Sequence, residues 1–336
     1  MRHDAAPDLT ALQRALIGLL ADGRAHSGSR LAAALGLSRS AIWKAIHQIE
    51  ALGLTVHAVP GAGYRLDAPL ELLDQEVIRG AMTPAARVLA GEIRVHECIQ
   101  STNAALLAAA REGALRGTVC LAEMQTKGRG RLGRIWRSPF AGNIYLSVLW
   151  SFSDSSVLGG LSLAVGAVLI RALRAAGVAE AGLKWPNDIL WNERKLGGVL
   201  VEVTGETHGR VAAVIGIGLN CHLPAQDAAA IDQAVVDLRG ILGERVPSRN
   251  QLVAALLGEL LPMLASFEER GFGAHVEEWR RYHVFDGRRA GLELDTTVIE
   301  GLIAGVTASG TLLLDCDDGV RREFASGDVR LRPVSA

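Results

Sequence analysis

Apolar positions change their period three times along the chain. From Leu9 to Leu20 they recur at helical spacing (Leu9, Leu12, Leu16, Ile17, Leu19, Leu20) until Asp22-Gly23 breaks the run. Ser27 is placed to cap a short second helix holding Leu31, Ala32 and Leu35, which Gly36 stops. Ser38 caps a third, with Ala41, Ile42, Ala45, Ile46 and Ile49 facing inward. Two helices around a tight turn at Gly36 predict a helix-turn-helix. A strand from Thr55 to Val59, then Pro60-Gly61-Ala62-Gly63 and Tyr64-Arg65-Leu66, predicts a hairpin beside it. The unit is therefore expected to be a winged helix.

Residues 68–82 read as a linker helix with Pro69 at its start. From Arg94 to about residue 270, strand candidates at 119–122, 144–149, 199–203 and 211–217 alternate with helix candidates at 158–176 and 250–270. That alternation predicts a mixed α/β (α+β) body around a mixed sheet. After Trp279 short alternating runs follow at 289–294, 297–307, 311–315 and 321–324, separated by Ala308-Ser309-Gly310 and Asp317-Asp318-Gly319. They predict a small β-barrel of SH3-like kind. The expected boundaries are 1–67 for the winged helix, 68–82 for the linker, 83–272 for the catalytic body and 273–336 for the barrel.

Composition narrows the setting. The 336 residues are 49% hydrophobic and 21% charged, ordinary for a globular protein of more than one core. No apolar run of membrane-spanning length escapes a charge or turn residue, and Met1-Arg2-His3-Asp4 opens no apolar signal segment. A cytoplasmic location is expected. Cys98, Cys120, Cys221 and Cys316 are too scattered for a metal or disulfide framework, and read as reduced, mostly buried thiols.

Net charge is −1, which argues against tight unassisted binding of nucleic acid. Residues 1–67, however, carry seven Lys and Arg against five acids, a local +2. On the third helix Ser38 opens a face on which Arg39, Ser40, Trp43, Lys44 and His47 point outward. Donors and cations on one face are what groove readout requires, so DNA binding is favoured over a plain three-helix bundle. Trp43 has two readings: contact with thymine methyls, or packing on the first helix.

The chemistry-bearing segment is Gly128-Arg129-Gly130-Arg131-Leu132-Gly133-Arg134. Its glycines match a dinucleotide fingerprint in spacing, but no helix can start behind it, because Trp136 and Ser138-Pro139 follow before another strand. Glycine allows close approach of backbone to ligand, and the guanidinium forks of Arg129, Arg131 and Arg134 suit phosphate or carboxylate. The segment reads as a lid that closes on an anion. Downstream come Lys184-Trp185-Pro186-Asn187-Asp188 and Arg194-Lys195-Leu196-Gly197-Gly198, offering two lysines to a phosphoryl transition state and Asp188 to a lysine or a magnesium ion. Gly216-Ile217-Gly218-Leu219-Asn220 ends an apolar strand where a ligand could approach. Ser101 of Ser101-Thr102-Asn103 reads first as a helix cap.

Taken in order and spacing, the glycine–arginine run, Trp136, Lys-Trp-Pro-Asn-Asp and Arg-Lys-Leu-x-Gly resemble the biotin–protein ligases. With a winged helix in front, the chain is similar over residues 10–333 to the bifunctional biotin ligase/biotin operon repressors. The resemblance implies that ATP and biotin, with magnesium on the phosphates, give biotinyl-5′-adenylate, and that biotin passes to a lysine of the biotin carboxyl carrier protein of acetyl-CoA carboxylase. It implies biotin contacts for Ser101, Thr102, Asn103, Gln125, Arg129, Gly130, Arg131, Ser147, Lys195 and Gly198. Arg134, Trp136 and Asn220 fall at the nucleotide, and Arg131, Lys195, Lys184 and Asp188 at the chemistry. It further implies an adenylate-induced homodimer, through Ser153–Val157 and Thr204–Arg210, that binds operator DNA. Leu132 and Lys127 depart from the usual lid pattern. The alternatives are a biotin sensor without ligase activity and a lipoate-type ligase.

Overall fold

The computed structural model describes residues 9–205, 210–294, 297–325 and 329–333. The chain opens with α1 (Ala11–Leu20), α2 (Gly28–Leu35) and α3 (Arg39–Glu50), followed by the antiparallel pair β1 (Val56–Val59) and β2 (Gly63–Leu66). Each helix starts on a side-chain cap, with Thr10, Ser27 and Ser38 accepting from the backbone N–H three residues on. Gly36 ends α2 in the left-handed region, at φ 65°. The wing is stitched to the start of α2 by paired backbone bonds between His26 and Tyr64. A Cβ at Gly63 would lie 2.0 Å from the His26 carbonyl oxygen, so this position admits no side chain.

The expected linker helix starts later than the sequence pattern suggests. Residues 67–74 run without helix, and α4 (Gln75–Ala81) begins on the Asp74 cap, followed by α5 (Pro84–Leu89). The delay has a local cause. The N–H groups of Leu70, Leu73 and Asp74 are taken by the Ala21 carbonyl, the Glu123 carboxylate and the Asn250 side chain. Those partners lie in three different elements, and they hold the segment extended.

The central body is built from β3 (Ile93–Ile99), α6 (Thr102–Arg111), β4 (Val119–Gln125), β5 (Ile144–Phe152), α7 (Leu161–Ala175), β6 (Ala181–Lys184), β7 (Asp188–Trp191), β8 (Arg194–Gly205) and β9 (Val211–Leu219). Its seven strands lie in the order β3-β4-β5-β9-β8-β7-β6, mixed because β3 and β4 are parallel and the remaining pairs antiparallel. Short helices α8 (Ala225–Ala229) and α9 (Leu238–Leu242) lead to α10 (Arg249–Arg270) and α11 (Val276–Tyr282). By length and composition α10 could cross a membrane, but here its apolar side chains, Leu252 to Phe267, are buried in the core with α7.

The small C-terminal sheet comprises β10 (Arg289–Leu294), β11 (Thr297–Val306), β12 (Leu312–Cys316), β13 (Arg321–Phe324) and β14 (Val329–Pro333), ordered β13-β12-β11-β10-β14. Four of these strands follow the sequence pattern closely; β14 has no counterpart in it. Ala290, Leu292, Ile303, Val306, Leu312 and Leu314 join the same buried cluster as the central body, so this unit shares its core with that body. The winged helix has its own cluster, into which Phe140 and Ala141 of the central body are inserted. All four cysteines are buried thiols outside any disulfide, and burial pushes the thiols of Cys120 and Cys221 up to about 12.

Candidate active site and DNA-facing helix

A groove of about 930 Å³ opens between the glycine–arginine loop and the strands β6–β9. That is at the upper end of the ~300–1,000 Å³ usual for small-molecule sites. Its lining brings together Ser101, Thr102, Asn103, Gln125, Arg129, Gly130, Arg131, Arg134, Trp136, Lys184, Asp188, Lys195, Gly198 and Asn220. Ser147 is the exception among the expected contacts. It is fully buried behind the wall, with its hydroxyl 2.8 Å from Thr102 Oγ1 and 2.6 Å from Asn103 Oδ1.

The inner wall follows from one helix start. Ser101 caps α6 through the Ala104 N–H, which fixes Thr102 and Asn103 on the first turn, facing β5 and β9. Gly216 makes room for Asn103, since a Cβ there would sit 2.3 Å from Asn103 Oδ1. Gln125 ends β4 and accepts from the Thr102 N–H at 2.9 Å, and its amide donates to Ser138 at 3.2 Å.

The loop is a small hairpin. Arg129 bridges to Ile135, the Gly130 N–H donates to the Arg134 carbonyl at 2.7 Å, and the Trp136 N–H to the Gly128 carbonyl at 3.0 Å. A 3₁₀ turn at Arg131–Gly133 forms its tip, where Leu132 adopts φ 56°. Leu132 thus occupies a left-handed conformation that a branched side chain tolerates poorly. Arg129 leaves the tip to pair with Glu202 at 3.1 Å, and Trp136 lies flat over Gly218, where a Cβ would be 2.4 Å from the indole.

On the opposite wall Lys184 and Asp188 are cross-strand partners at the closed end of the β6–β7 hairpin. Between them Trp185 is buried, and its indole N–H donates to the Gly310 carbonyl at 3.0 Å, tying this turn to the C-terminal sheet. Lys195 Nζ lies 2.6 Å from Asp188 Oδ1 and 5.7 Å from the Trp136 ring centroid. The Asn220 amide donates to the Lys195 and Val236 carbonyls, which closes the floor. Among the described residues, no three His, Cys, Asp or Glu side chains are grouped to hold a metal ion.

Two parts of the site were not expected from sequence. Ala230, Ile231, Asp232, Gln233 and Val235 line the groove because Lys195 exchanges backbone bonds with the carbonyl of Ala234 and the N–H of Val236; no motif marks that stretch. Glu202 stands behind the wall, and an acid within the apolar run Val199–Val203 was the available signal.

On α3, Arg39, Ser40, Trp43, Lys44 and His47 are all exposed on one face. Trp43, 53% exposed, packs edge-on against His47 at 4.2 Å between ring centroids, and His47 in turn bonds Glu50. Ser38 is spent as the cap, accepting from the Ala41 N–H. For the expected dimer surface, residues 153–157 and the ends of β8 and β9 lie at one end of the sheet, where Val211 pairs with both Phe152 and Gly205. Residues 206–209 fall outside the described residues.

Comparisons with known proteins agree with this architecture part by part. Residues 95–220 match the biotin/lipoate A/B protein ligase family, residues 12–65 an HTH domain, and residues 287–332 the biotin protein ligase C-terminal domain. The bifunctional ligase/repressor BirA of Salmonella typhimurium is 38% identical over 327 residues, covering 96% of this chain and 98% of that protein. The Escherichia coli protein of the same name is also 38% identical, covering 94% and 96%. The biotin protein ligase from Aquifex aeolicus, solved in complex with biotin and ATP, aligns with a TM-score of 0.62 at 27% identity, covering 72% of this chain and 99% of that one. The chain therefore belongs to the biotin protein ligase family, in its bifunctional ligase/repressor branch.

Proposed function

We propose that the groove condenses biotin with ATP to biotinyl-5′-AMP and diphosphate, then transfers the biotinyl group to a lysine of a biotin carboxyl carrier protein. The convergence of Arg129, Arg131, Lys184 and Lys195 on one groove whose inner wall is uncharged and hydrogen-bonding carries this reading. Thr102, Asn103 and Gln125 would hold the ring of biotin, and Ser101 and Gly198 its near contacts. Trp136, Arg134 and Asn220 would bound the nucleotide. Ser147 acts from behind, by setting Thr102 and Asn103.

The reaction asks little of acid–base chemistry. Biotin's carboxylate is already a nucleophile, so its attack on the α-phosphorus needs alignment and neutralisation of charge. Lys195 lies where carboxylate and phosphate would meet, and Lys184 on the phosphate side. Magnesium would arrive bound to ATP and offset charge on its phosphates, and Asp188, which lines the groove beside Lys195, is a carboxylate that would hold it. The lid hairpin, closed by Arg129 and Arg131, would keep water from the mixed anhydride. Incubation with ATP, biotin and a carrier domain should yield biotinylated carrier, and absence of product would overturn the assignment. Excess lipoate should leave biotin-dependent diphosphate release unchanged; strong competition would favour the lipoate-type alternative.

The second activity rests on the exposed cationic face of α3 and on the Phe140–Ala141 insertion, which joins the winged-helix core to the segment following the lid. Ligand-dependent ordering of the lid would favour a homodimer, whose paired α3 helices reach the affinity for a two-fold operator that one mildly basic unit lacks. Affinity for operator DNA should rise when biotin and ATP are added together; no rise would remove the repressor half. A cytoplasmic location would follow from this activity.

A further inference from the structure

Glu202 makes two contacts. It accepts from Asn103 Nδ2 at 2.8 Å and pairs with Arg129 of the lid at 3.1 Å. Its side chain, 26% exposed, is not part of the groove lining, so it can influence a ligand only through these neighbours. From this geometry we infer that Glu202 is a positioning residue that fixes the hydrogen-bond polarity of the inner wall, and thereby selects a ligand ring that presents an N–H group. The inference rests on the biotin-ligase reading and names the device by which the ring is recognised.

Proton counting gives the polarity. A carboxylate paired with a guanidinium has only acceptors to offer, so Asn103 must turn its NH₂ toward Glu202. The Leu200 carbonyl, 3.3 Å from the same nitrogen, is a longer and weaker second acceptor on that side. Asn103 Oδ1 then faces Ser147, which must donate its single proton across the 2.6 Å contact. Ser147 has no second proton for Thr102, so the Thr102 proton turns inward, to Ser147 Oγ at 2.8 Å or to Gln125 Oε1 at 3.2 Å. At the end of the chain Thr102, a groove-lining residue, has its proton committed inward and keeps an Oγ1 lone pair as an acceptor for a ligand. A cyclic urea N–H satisfies that lone pair; an aliphatic or dithiolane chain does not. Were Asn103 flipped, Ser147 would donate to Thr102 and occupy a lone pair of Oγ1 that the ligand otherwise finds open.

The test is a polarity swap. Glu202→Gln is isosteric and accepts either orientation of Asn103, so the sense of the wall then rests on the longer Leu200 contact alone. Its KM for biotin, and for dethiobiotin, which keeps the urea ring, should rise roughly ten-fold, the scale of one hydrogen bond. KM for ATP should stay within about two-fold, as should kcat for adenylation, since Glu202 touches neither reacting group. Adding Asn103→Asp to Glu202→Gln puts an acceptor-only group next to Ser147 again, and should recover biotin KM relative to Glu202→Gln alone. Arg129→Ala, which removes the lid contact but leaves Glu202 and Asn103 in place, separates the lid from the wall. Equal rises in biotin and ATP KM, or a double variant no better than Glu202→Gln, would overturn the inference while leaving ligase activity intact. A wild-type protein that forms no adenylate from biotin would instead remove the reading on which it rests.

Discussion

Lys195 and Asp188 face each other on neighbouring strands, Nζ to Oδ1 2.6 Å, with the indole of Trp136 over the same ammonium. Both side chains are largely shielded, so each neutralises the other at the centre of the groove. An arriving carboxylate and phosphate would meet a cation held in position, with no reorganisation needed at the moment of attack. Lys195→Ala should slow adenylate formation by about 10²–10³-fold, the scale for loss of one preorganised charge. Diphosphate release without carrier reads this step directly. A normal rate would remove Lys195 from the chemistry.

Arg39 and Lys44 lie on the exposed face of α3, away from the core residues Ile42, Ala45 and Ile46. The double change Arg39→Ala/Lys44→Ala should weaken operator binding and lower the slope of log affinity against log salt by about 2 per winged helix. Biotin transfer to the carrier should be unchanged. Equal loss of both activities would contradict separable modules.

The reach of sequence reasoning follows from how local each feature is. Ser27, Gly36, Ser38 and Ser101 act on their own backbone within three residues, and their roles as caps are readable without neighbours. The lid glycines likewise announce themselves, although their folding into a hairpin does not. What escaped depends on distant partners. The helix expected from Pro69 starts at Gln75 because Glu123 and Asn250 take the intervening N–H groups. The burial of Ser147 depends on α6 lying across β5. The membership of Gln233 and Val235 in the groove is set by pairing with Lys195, and such register has no trace in a single strand's pattern.

His283 offers a pH dependence whose sign is fixed by burial. Its ring is 6% exposed and stacked on Trp279 at 4.4 Å, and neither ring nitrogen has a hydrogen-bond partner among the described residues. Loss of solvent lowers its pKa from 6.5 to about 3. In the unfolded chain it protonates near 6.5, so its contribution to stability is complete above that pH. As pH falls from 6.5 toward 3 the unfolded state gains the proton and the folded state does not, which costs about 1.4 kcal/mol per pH unit. Between pH 6.5 and 4.5, urea midpoints of His283→Phe should fall less steeply than those of the wild type. Parallel slopes would show that other groups set the acid limit.

Gly216 and Gly218 stand two residues apart on one face of β9, and each leaves space for a different side chain. A Cβ on Gly216 would lie 2.3 Å from Asn103 Oδ1, and one on Gly218 would lie 2.4 Å from the Trp136 indole. Asn103 belongs to the wall assigned to the biotin ring, and Trp136 to the nucleotide end. Gly216→Ala should therefore raise KM for biotin about ten-fold with a smaller change for ATP, and Gly218→Ala should do the reverse, each displacing one packed contact. Thermal midpoints measured alongside separate displacement of a ligand contact from loss of fold. If both variants raised both constants equally, the strand would not divide the groove into two subsites, and the assignment of Trp136 to the nucleotide would fall with it.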